Sequence, residues 1–353
     1  MTARSRAAAF CERFGLRIPI LQAPMAGSTP VALAAAVGTA GGMGALGALN
    51  SSPAGIRNWA AGVRAATNGA FQINLWIPEP DPVRDPAREA TVRETLSAAA
   101  GFPVPEAGPG PFLPDFEAQC AAILAAGPAV ISSIMGVFPP DFVATFKARG
   151  IAWFANATTV AEARQAEAAG ADAVIAQGAE AGGHRGSFVN GAAEAQSIGL
   201  FALLPQMTDA VAVPVIAAGG IMDGRGIAAA LTLGASAVQL GTAYLRCPET
   251  GTNPTWAEAI GRARPEDTVL TRAFSGRLGR GIANSITQAF ADSAPAPYPV
   301  QRALMAPVRS AAEAAGDISR MQAWAGQGAA LSRVEPAADL TRRLWADAEA
   351  LLP

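Results

Sequence analysis

The chain holds a single histidine, His184, set in the string EAGGHRG at residues 180–186. An imidazole titrates near neutrality, so in a loop it can either take a proton from a carbon acid or donate a hydrogen bond to an anion. The flanking glycines let such a loop lie close against a planar ligand while the ring projects into a cavity. Two further glycine turns suggest different chemistry. Gly219 and Gly220 follow one apolar run, and Gly241 with Thr242 follows the next, where bare backbone N–H groups can close on a phosphate. A phosphorylated cofactor is therefore expected. Asn74 and Gln177 also end apolar runs, and an amide donates and accepts at once, as the mixed polar edge of a heterocycle requires. Arg185 is either an anchor for an acidic group or a solvent-facing charge, and Glu180 either a helix cap or a free loop carboxylate.

These groups can cooperate only if the elements behind them share one rim. Eight short apolar runs, at residues 18–23, 43–46, 70–74, 129–132, 152–155, 173–176, 215–218 and 237–240, alternate with Ala-rich helical stretches. That alternation is the pattern of a parallel sheet built from β-α units, and eight is the number that closes a TIM (β/α)8 barrel. An open doubly wound sheet shares the local signals. In a barrel the segments QAPMAG (22–27), Asn74, QGAEAGGHRG (177–186), AAGGI (217–221) and QLGT (239–242) all fall at the strand C-terminal ends, where such folds keep their active sites. Helix punctuation agrees. Thr29-Pro30 and Ser52-Pro53 each place a capping hydroxyl before a proline at the first helical position, and Gly150, Gly170 and Gly234 each end a helix.

Two stretches interrupt the repeat. Residues 77–115 are proline-rich around a short charged helix and predict an excursion over the barrel mouth after the third strand. Residues 246–303 lack a clean helical pattern and predict an inserted small substrate or lid domain after strand eight. The barrel would then comprise 1–245 and 304–353, with its last helix drawn from 317–325 or 338–352.

Composition narrows the function classes. Of 353 residues, 51% are hydrophobic and 15% charged, so an ample core can form without a metal or disulfide staple. A net charge of -2 gives no footprint for nucleic acid or an anionic membrane surface. Three scattered cysteines, Cys11, Cys120 and Cys247, suit a reducing compartment better than a disulfide framework, and no stretch approaches 18 uninterrupted apolar residues. A cytoplasmic protein acting on a small molecule is expected.

The strings QAPMAGSTPVALAAAVGTAGGMGALG, NLW, QGAEAGGHRG and LLPQMTDAVAVPVIAAGGIMDGRGIAAALTLGASAVQLGT resemble the nitronate monooxygenase family, also called 2-nitropropane dioxygenases, and in particular its first class. The match runs from about Gly15 to Thr242, and WAGQGAALSR at 324–333 is similar to the family's C-terminal helix. The resemblance implies a barrel with non-covalent FMN and a smaller substrate domain. It assigns cofactor contacts to Met25, Asn74, Gln177, Gly182, Gly219, Gln239, Leu240, Gly241 and Thr242, with Ala23, Pro24, Gly183 and Gly220 beside them in the same loops. His184 falls on the family's catalytic histidine. The implied reaction oxidises an alkyl nitronate, such as propionate 3-nitronate, with O2 to a carbonyl compound and nitrite. Flavin-dependent enoyl-thioester and quinone reductases that use NAD(P)H share the barrel and form the alternative. No GxGxxG follows the first strand, and no cysteine nucleophile follows the sixth, as IMP-dehydrogenase-like enzymes need.

Overall fold

The computed structural model describes residues 1–353. Its strands are β1 Ile20–Gln22, β2 Gly44–Gly47, β3 Phe71–Trp76, β4 Val130–Ile134, β5 Ala152–Ala157, β6 Ala173–Gln177, β7 Gly183–His184, β8 Val215–Ala218, β9 Ala237–Leu240, β10 Thr268–Thr271 and β11 Gly279–Ile282. Eight of them pair in parallel in the order β1-β9-β8-β6-β5-β4-β3-β2. A parallel bridge between Leu21 and Met43 joins the two ends of that order, so the sheet closes as a TIM barrel. Each expected apolar run overlaps one barrel strand. Their small and β-branched residues, buried on both faces, suit parallel strands covered by helices outside and packed side chains within.

The cylinder is stoppered at its lower end. Phe10, Cys11 and Leu16, from and just after the N-terminal helix Ala3–Phe14, cluster with Leu21, Met43, Val130, Phe154, Ile175 and Ile216. The Phe14 ring meets Phe154 edge-on with centroids 4.8 Å apart. An opening for ligands is therefore left only at the opposite end, where the strands finish. Outside the barrel, 55 buried residues join the strands to the surrounding helices. Ser52 caps its helix by accepting from Gly55 N–H at 3.1 Å, as its sequence predicts. Thr29 does not cap. The next helix starts at Val31 with Pro30 as its N-cap, and the Thr29 hydroxyl instead accepts from Gly47 N–H at 3.3 Å, at the end of β2. Gly150, Gly170 and Gly234 all adopt the left-handed conformation after their helices, with φ of 72°, 99° and 112°.

A second layer covers the mouth. Val92 and Leu96, from the 15-residue helix Pro86–Ala100, pack with Phe274, Ile286, Phe290, Val300, Leu304 and Val308 in a separate cluster. The proline-rich excursion and the later insertion thus bury one shared core. The expected boundary at 303/304 falls inside the helix Val300–Ala315, whose Leu304, Met305 and Val308 all face that core. The last barrel helix is Ala337–Glu349, packed on helices Gly224–Thr232 and Val31–Ala40, which matches the 338–352 alternative. Residues 317–325 form no helix, with a turn at 318–320 and irregular chain leading to Trp324. The string at 324–333 is likewise no helix. Trp324 bridges Gly281, Gly326 and Gly328 form turns, and only Ala329–Leu331 makes one short 3-10 turn. Glycine's backbone freedom disfavours helix there, and Gly326 N–H is bound by the Thr242 hydroxyl at 3.0 Å. No helix is long and apolar enough to cross a membrane.

Candidate active site

A cavity of about 440 Å³ lies at the C-terminal ends of the barrel strands, beneath the second layer. It is lined by Ala23, Pro24, Met25, Asn74, Gln177, Gly182, Gly183, His184, Gly219, Gly220, Gln239, Gly241 and Thr242. Leu240 alone of the expected contacts is turned away. Side chains alternate along a strand, so Gln239 faces inward while Leu240, 1% exposed, packs into the strand–helix core.

The sixth strand end positions the histidine. Gln177 donates from Nε2 to the His184 carbonyl at 3.0 Å and accepts Gly186 N–H at 2.7 Å, so its amide folds the glycine loop back on itself. β7, within that loop, pairs with β11 so that His184 lies opposite Gly279. The imidazole then sits edge-on to Trp76 and Trp324, with centroids 4.8 Å and 4.9 Å away. Its Nε2 is 2.7 Å from the Ser275 hydroxyl. Desolvation, followed by the positive charges of Arg277 and Arg302, pushes the histidine pKa down to about 3, and the ring is neutral near pH 7.

The neighbouring charges divide into structural and open ones. Arg185 is buried and donates to the carbonyls of Gln177, Thr158 and Gln196 at 2.6, 3.3 and 3.2 Å, so it neither faces solvent nor lines the cavity. Glu180 is a cap, accepting Leu200 N–H at 2.9 Å at the start of helix Leu200–Ala210. Arg277 is buried behind His184, ion-paired with Glu79 at 2.9 Å and donating to the Ser187 carbonyl at 2.6 Å. Arg302 and Arg309 line the cavity and have no carboxylate within ion-pairing distance. Arg302 donates instead to the Asn50 side chain and Arg309 to Gln322 Oε1 at 3.3 Å, and Glu313 is the one carboxylate lining the same cavity.

The site also includes residues that sequence reasoning passed over: Trp76, Ser275, Arg277, Arg302, Trp324, Gly326 and Gly328. The strings FSGR and WAGQG carry five of these groups, and their glycines beside polar or aromatic residues are the signal available in the sequence.

The residues present fit a phosphorylated planar cofactor. The backbone N–H groups of Gly219, Gly220 and Gly241 donate to nothing within the protein. Gly219 and Gly220 have φ of 116° and 68°, which turns successive amides toward the cavity. A Cβ on Gly183 would meet no protein atom within 4 Å, and one on Gly241 would meet nothing closer than 3.5 Å, so both leave room that the protein itself does not fill. Gly182 serves packing instead, since a Cβ there would lie 2.5 Å from Gly326 N. The Asn74 Oδ1 and Gln239 Nε2 atoms are also unengaged, while their partner atoms are held by Ser132 and Gln72 at 3.2 and 3.1 Å. A volume of 440 Å³ lies within the range of about 300–1,000 Å³ usual for cofactor and ligand sites.

The model of the nitronate monooxygenase family matches residues 8–347. A nitronate monooxygenase of Paraburkholderia phytofirmans is 42% identical over 98% of this chain and 96% of its own. One from Pseudomonas aeruginosa is also 42% identical, over 95% and 97%. Among solved structures, the nitroalkane oxidase of Streptomyces ansochromogenes superposes with a TM-score of 0.89 at 37% identity, covering 97% of this chain and 98% of that one. FabK of Thermotoga maritima superposes with a TM-score of 0.75 at 27% identity, over 97% and 96%.

Proposed function

The chain belongs to the nitronate monooxygenase family, and from that premise we propose that its cavity holds FMN and oxidises alkyl nitronates, propionate 3-nitronate among them, with O2 to a carbonyl compound and nitrite. One observation carries this reading. His184 and the three unengaged glycine N–H groups line a single cavity at the mouth of the barrel. Bound FMN would supply the redox chemistry, and the protein supplies binding, orientation and electrostatics.

In this reading Gly219, Gly220 and Gly241 hold the phosphate through backbone N–H groups, which cost no side-chain ordering. Asn74, Gln177 and Gln239 stand toward the polar edge of the ring system, with Ala23, Pro24, Met25, Gly182, Gly183 and Thr242 completing the walls. Neutral His184 meets the substrate without adding a charge that burial would penalise. Arg302 and Arg309 draw the anionic nitronate inward, and Trp76 with Trp324 keep water from the imidazole. The layer formed by residues 86–100 and 268–308 acts as the substrate-side lid. A cytoplasmic location belongs to the same proposal, supported by three cysteines that are all free and buried.

The experiment is direct. Purified protein should be yellow, consume oxygen with propionate 3-nitronate, and release nitrite without NADH. The likeness to FabK motivates the reductase alternative. Rapid anaerobic bleaching by NAD(P)H, with nitronates inert, would replace the first reading by the second.

A further inference from the structure

We propose that Ser275 is a positioning residue that fixes His184 in the tautomer protonated on Nε2, leaving a lone pair on Nδ1 turned to the cavity. The assignment follows from counting the one proton on the Ser275 hydroxyl. Its Oγ has three close partners: His184 Nε2 at 2.7 Å, Arg277 N–H at 3.2 Å and the Arg277 carbonyl at 3.3 Å. The Arg277 amide can only donate, and its carbonyl can only accept. No other group donates to that carbonyl, and the residue is 1% exposed. If the serine proton goes to the carbonyl, both Oγ lone pairs remain for the Arg277 amide and for a proton on Nε2, and every contact is satisfied. If instead the serine donates to Nε2, a buried carbonyl is left without a donor, which native structures avoid.

The rest of the pocket supports a fixed ring. Gly276, between Ser275 and Arg277, has a φ of 87°, and a Cβ there would lie 2.6 Å from Tyr298 N, so this turn is rigidly built. Trp76 and Trp324 hold the imidazole edge-on, which opposes a ring flip. Nδ1 has no protein partner, yet it is not among the sealed polar atoms, so it is the nitrogen open to the cavity. The buried Arg277 and the lining Arg302 disfavour a lasting second proton, so one can be held only while the negative charge of a newly formed nitronate lies beside the ring.

The consequence for catalysis rests on the function proposed above. A neutral nitroalkane must lose a proton from carbon before it becomes a nitronate. That proton passes to Nδ1, the carbon–hydrogen electron pair becomes the C=N bond, and one N–O π pair moves onto oxygen. The resulting imidazolium keeps its Nε2 proton on Ser275. A preformed nitronate needs no such step.

One histidine in the chain makes the test clean, because histidine labelled with 15N in its ring reports two nitrogens and nothing else. In the cofactor-loaded wild type, Nε2 should give the protonated-type signal with a directly bound hydrogen, and Nδ1 the bare-nitrogen signal. Ser275→Ala should average or exchange the two tautomers. It should also lower kcat/KM for a neutral nitroalkane by about five- to tenfold, a larger factor than for the preformed nitronate. Ser275→Thr, which restores the hydroxyl, should recover both the spectrum and the rate. A wild-type spectrum with the proton on Nδ1, or a Ser275→Ala spectrum identical to wild type, overturns the assignment whatever the enzyme turns over. Correct spectra with no nitronate oxidation would instead reject the functional reading alone.

Discussion

The barrel rim and the layer above it build the same cavity by opposite means. The rim presents main chain: glycine turns after β8 and β9 whose N–H groups are free because no side chain or neighbouring strand claims them. The upper layer presents side chains: Arg302 and Trp324 line the cavity, and Ser275 and Arg277 are buried behind His184, each placed by packing between segments distant in sequence. A cofactor common to many reactions suits the first kind of surface, since backbone geometry is fixed by the strands. Choice of substrate and proton chemistry suits the second, because side chains can be exchanged without disturbing the barrel.

The sharpest way to break this division is to remove the one group that belongs to both halves, since His184 sits on a rim loop but pairs through β7 with β11. His184→Asn should keep FMN content while lowering turnover of neutral nitroalkanes by about 10²–10⁴-fold, the usual worth of a general base. Activity on preformed nitronates should fall much less. Equal rates for mutant and wild type on both substrates, measured by oxygen uptake, would take histidine out of the chemistry.

The rim is tested by Gly219→Asp. A side chain is strained at its φ of 116°, and a carboxylate would face the phosphate that we propose the free amides hold. At about 4 Å two such charges repel by roughly 1–4 kcal/mol, depending on screening, so the FMN dissociation constant should rise by about tenfold or more. Flavin fluorescence on titration measures it, and unchanged retention would move the phosphate elsewhere. The same comparison predicts that Arg302→Gln leaves FMN bound but raises KM for anionic nitronates by about tenfold, with kcat little altered, because Arg302 has no carboxylate to serve within the protein.

The two halves also differ in how far the sequence exposes them. Barrel strands carry local punctuation, and in β9 the alternation of Gln239 and Leu240 even decides which of them faces the cavity. The resemblance named both as contacts, and period-two geometry separates them. What the sequence hid was non-local. Nothing in the text of residues 86–100 says that Val92 and Leu96 will meet Leu304 and Val308 about two hundred residues later, so the excursion over the mouth and the lid insertion stand in the sequence as two separate features. The WAGQG string looked helical by family likeness, but its turns place Gly326 against Gly182 and Thr242, a contact that only tertiary structure reveals. Ser275 was invisible for the same reason, being an ordinary turn serine until β11 brings it beside His184.

The smallest expected effect concerns stability, and it asks whether the upper layer keeps water away from the imidazole. Burial and the two arginines depress the His184 pKa to about 3 in the folded protein, whereas the unfolded chain protonates near the ordinary value of about 6.5. The unfolded state therefore takes up the proton first. Stability is full above about pH 6.5 and is lost as pH falls toward 3. Because the chain has no other histidine, the window from about pH 6.5 to 5 belongs to this group, before carboxylates titrate. The loss there should reach at most about 1.4 kcal/mol per pH unit, reduced by whatever cavity water reaches Nδ1. Urea titrations of the wild type should show this slope, and His184→Asn should abolish it. A wild-type slope near zero would mean that the imidazole protonates freely when folded, so that the lid screens it far less than its position between two tryptophans implies.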